Sequence, residues 1–152
     1  MIDITVKELI PILQIAIGPV VLISGVGLII LSLTNRLGRV IDRGRSLVRE
    51  MPNIPEANRT STARQLQILS QRAGLLQRSI VFAVICVLFA AVLIITLFFT
   101  AAFQLEDAWL IGILFIGALG SLIISLISFL QELNQSLIAY RLDMGEISNH
   151  IS

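Results

Sequence analysis

The chain has 152 residues, of which 56% are apolar and 14% charged, with a formal net charge of +1. A soluble domain carries about 25% charged residues, and one of about 150 residues still exposes roughly 30% of its unfolded surface, so this composition belongs in a membrane. The near-neutral balance argues against a nucleic-acid binder, and a single cysteine excludes an internal disulfide framework.

Residues 1–9 hold Lys7 against Asp3 and Glu8. The apolar run that follows is too long for a secretory signal, so it is expected to stay in the protein as a span. Thr5 and Glu8 have capping-box spacing, which predicts a short interfacial turn before Pro11. The run itself, residues 10–33, contains no charged residue; neither do residues 80–103 and 109–130. These runs of 24, 24 and 22 residues make roughly 33–36 Å of helix, enough to cross a hydrocarbon core about 30 Å thick. They are apolar on every side, which excludes the alternation of a β-barrel strand. The fold expected is an all-α membrane protein with three transmembrane helices.

In the first span Gln14, Gly18, Gly25 and Ser32 share one face, and Pro19 cannot donate to the carbonyl of Ile15, which predicts a kink. Such a helix suits a pore-lining or gating element; a tight helix contact explains the same residues.

Residues 34–79 carry nine of the eleven basic residues. Loops retained in the cytoplasm collect Lys and Arg during insertion, so this segment is expected inside, with the N-terminus outside and the C-terminus inside. Its formal charge is +6, against −3 for the outer segments and −2 for residues 131–152. Leu33, Leu37, Val40, Gly44 and Leu47, then Leu66, Leu69, Ala73, Leu76 and Ile80, follow alternating three- and four-residue spacings, the narrow seams of coiled-coil helices. Between them Pro52 and Pro55 force a turn within residues 51–57. The first span therefore extends to about Glu50, reverses, and returns from about Asn58 as the second arm of a cytoplasmic helical hairpin. Asn35, Arg36, Arg39 and Arg43 stand at the inner end of the first span, with Arg78 at matching depth on the second. They suggest a lipid-headgroup or anion site, or a gating vestibule. A topogenic cluster paired locally (Arg39 with Asp42, Asp42 with Arg45), or across to Glu132, Asp143 and Glu146, is the plainer explanation.

Cys86, among Ala83 and Ala90, reads as a packing residue. Glu106 and Asp107, repeated around an oligomer, would gather cations at an outer mouth; a solvated turn is the plain alternative. The third span carries Ser121, Ser125 and Ser128 in line with Glu132. In a ring of subunits that stripe could line a pathway, while Gly117, Ser121 and Ser125 also read as the small-residue spacing of close helix packing. Residues 131–152 continue as a C-terminal helix with a seam at Leu130, Leu133, Leu137, Tyr140, Met144, Ile147 and Ile151. His150 has no partners at metal spacing.

No span holds Asp, Glu, Lys, Arg or His, which counts against a proton-coupled transporter or a voltage sensor. No motif of a hydrolase, zinc protease or phosphate-binding loop is present, so neither catalytic residues nor a cofactor or metal site is expected.

Residues 19–47 read PVVLISGVGLIILSLTNRLGRVIDRGRSL. Gly18, Pro19, Ser24, Gly25, Gly27, Thr34, Asn35, Arg36, Arg39, Asp42 and Arg43 resemble the signature of a bacterial family of small integral membrane proteins catalogued as domain of unknown function 2721. The resemblance implies a bacterial cytoplasmic (inner) membrane location and brings no activity with it. From the residues themselves the leading expectation is a homo-oligomeric ion channel, with the first or third span lining the pathway and a weak cation preference. The alternative is a non-conducting scaffold whose basic helices bind a protein partner or anionic lipid.

Overall fold

Three runs of about twenty-four apolar residues cannot leave backbone groups unpaired in lipid, so each must be helical. The computed structural model describes residues 6–103 and 108–151, with side chains described for 10–11, 14–56, 58–103 and 108–135. It contains three helices: α1 (Val6–Glu50), α2 (Glu56–Phe103) and α3 (Ala108–Ile151). Each is long and apolar enough to cross a membrane, and each charge-free run lies inside one of them. The chain is a multi-pass membrane protein. Large side chains such as Leu28 and Ile116 are 70% and 71% exposed, as suits helices surrounded by lipid.

α1 runs unbroken through Pro11 and Pro19, so among the described residues Val6 to Pro11 belong to the helix and form no separate turn. Thr5, the capping residue expected there, lies outside the described residues. Two hydroxyls within the apolar runs return to their own helix: Ser24 Oγ donates to the Val20 carbonyl at 3.1 Å and Thr96 Oγ1 to the Val92 carbonyl at 2.9 Å. Each is thereby satisfied without a partner from outside.

The turn falls where the prolines require it. Pro52 opens a 3₁₀ turn at Met51–Asn53, and Ile54 is extended (φ −84°, ψ 131°), as the residue before a proline should be. Ile54 N–H donates to Met51 O at 3.4 Å, and Asn58 N–H to Pro55 O at 2.9 Å as α2 begins.

The chain divides into two compact units, Met1–Leu31 with Val81–Ile124, and Ser32–Ile80 with Ser125–Ser152. The first has a small-residue core of Val26, Ala83, Cys86 and Ala118, ringed by Leu22, Ile30, Val87, Phe89 and Leu122. Phe89 packs on Gly117, where an added Cβ would meet the ring at 3.4 Å. In the second, Leu33, Val40 and Leu47 are buried as the α1 seam predicts, with Leu76 from α2. The third seam departs from expectation at its start. Leu130 is 58% exposed, because the inward face of α3 in this unit is formed by Ser125, Ser128 and Glu132. The rest of that seam, from Leu137 to Ile151, has no described side chains.

Candidate functional site

Glu132 sits one turn beyond Ser128 on α3 and has no solvent-exposed surface. A carboxylate so placed must be paired and hydrogen-bonded or it neutralises. Two arginines supply the pairing. Arg72 of α2 donates from Nε (3.2 Å) and Nη2 (2.9 Å), both to Oε1. Arg36 of α1 approaches the other oxygen, its Nη2 lying 3.2 Å from Oε2. That contact is ionic only, and among the described residues Oε2 accepts no hydrogen bond. The Arg36 guanidinium also lies 5.2 Å from the centre of the Phe129 ring, a cation–π contact that fixes its direction. The side chains of Arg36 and Arg72 keep 26% and 20% of their surface, so the triad is sealed at the carboxylate and open at the guanidiniums.

That opening faces a groove of about 270 Å³ lined by Arg36, Arg39, Arg43 and Arg72, with Val40, Leu69 and Glu132 completing it. Arg36, Arg39 and Arg43 share one face of α1 because they are three and four residues apart. Four guanidiniums against one carboxylate leave the lining at a formal +3. That excess of positive charge is electrostatically complementary to an anion. Among the described residues no group of three or more His, Cys, Asp or Glu could hold a metal ion.

The helices are keyed together next to this groove. Ser79 Oγ donates to the Ser125 carbonyl at 2.8 Å, and Ser125 Oγ donates back to the Ser79 carbonyl at 2.8 Å; both residues are fully buried. This reciprocal pair ties α2 to α3 with no dangling hydroxyl.

Several residues singled out in the sequence come together here and others do not. Arg36, Arg39, Arg43 and Glu132 share the groove, and cross-helix pairing with Glu132 does form. Arg78 is exposed on α2 and is not among the lining residues; Arg72, six residues earlier, takes that position. The third-span stripe faces inward. Ser121, Ser125, Ser128 and Glu132 are buried inside this one chain, with Ser121 Oγ donating to Ala118 O at 2.9 Å, which is the close-packing alternative for that face. The three serines suit the interior because small hydroxyl residues let helices approach closely. Gln14, Gly18, Gly25, Ser32 and Asn35 are exposed on α1, and a Cβ added at Gly18 or Gly25 would meet nothing within 4 Å. Glu106, Asp107, Asp143, Glu146 and His150 lie outside the residues whose side chains are described. Sequence reasoning missed Arg72 and Ser79. Arg72 directly precedes Ala73 of the second seam, a signal that it borders the interior.

The chain belongs to the family described as Protein of unknown function (DUF2721), whose model matches residues 16–142. No curated protein matches the chain, and no solved structure does. The matched stretch includes every residue that lines the arginine groove.

Proposed function

We propose that this family member is a non-enzymatic membrane scaffold that docks an anionic partner in the groove of Arg36, Arg39, Arg43 and Arg72. The observation that carries the reading is the triad. A buried carboxylate holds two guanidiniums at fixed positions, so part of the ordering cost of an anion site is already met before a ligand arrives. Arg39 and Arg43, both exposed, add two further positive charges to the groove. Because nine of eleven basic residues fall within residues 34–79, the reading puts the groove on the cytoplasmic side, with the N-terminus outside, in a bacterial inner membrane.

The test is binding of an anionic probe, polyglutamate or vesicles containing anionic lipid, by the full chain in detergent. Binding should weaken about tenfold or more in the Arg39→Gln, Arg43→Gln double variant, since each basic side chain near an anionic surface contributes about 1 kcal/mol. It should also fall with added salt. Equal binding by wild type and variant would overturn the reading.

A second reading, the homo-oligomeric channel with weak cation preference, is favoured by one observation: the Gln14, Gly18, Gly25 and Ser32 face of α1 points out of the chain. A ring of copies would turn that face to a central pathway, whereas a single copy has too few helices to enclose one. Reconstituted protein should then pass ions above protein-free vesicles, and Ser32→Trp should block the flux. A monomer in detergent with no flux sinks it.

A further inference from the structure

Building on the docking reading, we infer that the groove's occupant is the phosphodiester headgroup of a phospholipid from the membrane the chain spans. Depth is the first argument. Along α1, Arg36 and Arg39 follow the last residue of the charge-free run, Leu33, by about 4.5 and 9 Å, and along α3 Glu132 follows Leu130 by about 3 Å. The polar layer on each side of a bilayer is about 5–8 Å thick. The near end of the groove therefore lies at the level of lipid phosphates, and a lipid reaches it without leaving the bilayer.

Chemistry is the second argument. Guanidinium forks match phosphate oxygens two at a time, and Arg36 and Arg72 are already aimed by Glu132 and Phe129. Val40 and Leu69 give the same groove an apolar wall, which suits a headgroup with a glycerol backbone better than a hydrated inorganic ion. The volume, about 270 Å³, is close to the lower end of small-molecule clefts, roughly 300–1,000 Å³. That volume suits one headgroup.

The experiment uses the full chain in detergent, with phosphatidylglycerol and phosphatidylcholine added in competition and bound lipid counted by native mass spectrometry. Wild type should retain phosphatidylglycerol in preference, and Arg39→Gln with Arg43→Gln should weaken retention about tenfold to thirtyfold. Arg59→Gln with Arg64→Gln, exposed and outside the groove, should leave it unchanged. All four positions are solvent-exposed, and circular dichroism checks that the helices persist. Equal retention of the two lipids, or equal retention by both double variants, overturns the assignment. Displacement of the lipid by equimolar inorganic phosphate overturns it in favour of a free anion. Polyglutamate bound through Arg39 and Arg43 with no lipid retained leaves the docking reading standing and removes this inference; no anion bound at all removes both.

Discussion

Glu132 is fully buried while the two guanidiniums that hold it keep a way out to water. The asymmetry decides which substitution is worse. Arg36→Met with Arg72→Met strands a charge with no escape and should cost about 3–5 kcal/mol. Glu132→Gln leaves two arginines that can turn to solvent and should cost less, about 1–2 kcal/mol. Thermal unfolding of the purified chain in detergent measures both; equal losses would contradict the geometry. The serine pair behaves differently, because its hydroxyls are neutral and each donates to the other's backbone. Ser79→Ala and Ser125→Ala should each cost about 0.6 kcal/mol, the usual scale for hydrogen bonds between membrane helices. Their effects should couple in a double-mutant cycle, since both bonds depend on one helix approach.

Glycines along the helices separate contact from open face. At Gly117 of α3 a Cβ would touch the Phe89 ring at 3.4 Å, so the further methyls of Gly117→Val must displace it at a cost of about 1–3 kcal/mol. Gly25 of α1 meets nothing, and Gly25→Val should change stability by no more than about 0.5 kcal/mol. Melting curves of the two variants should separate clearly. If Gly25→Val nevertheless alters oligomeric state or ion flux, the exposed face of α1 is an interface. The elements themselves were legible in the sequence because their causes are local. A charge-free run of 24 residues is a span whatever it packs against, and two prolines three residues apart are a turn. Periodicity likewise marked Leu33, Val40 and Leu47 as one buried seam. It marked the serine stripe of α3 as one face too, but a period says nothing of what the face meets. The Arg72–Glu132 and Ser79–Ser125 pairs join residues 60 and 46 positions apart. Their meeting depends on the axial register of α2 against α3, which no short window of sequence contains.

For the whole molecule the decisive quantity is the side on which the arginines lie. In a Cys86→Ser background, Asn53→Cys at the exposed turn should resist a membrane-impermeant maleimide in intact cells and react in inverted vesicles. Labelling in intact cells would reverse the proposed topology. The buried native thiol makes the background low in either case. The proposed scaffold and channel divide at the same scale, since a conduit requires several copies and an anion groove requires only one.

Chain order sets the sequence in which the members of the buried triad are made. Arg36 and Arg72 are synthesised well before Glu132, so both cations wait while α3 is still being made. Until α3 docks, its carboxylate has no protein partner and stays in water, just beyond the end of its apolar run. Docking in the wrong register would bury that charge alone at a cost that few helix contacts can offset.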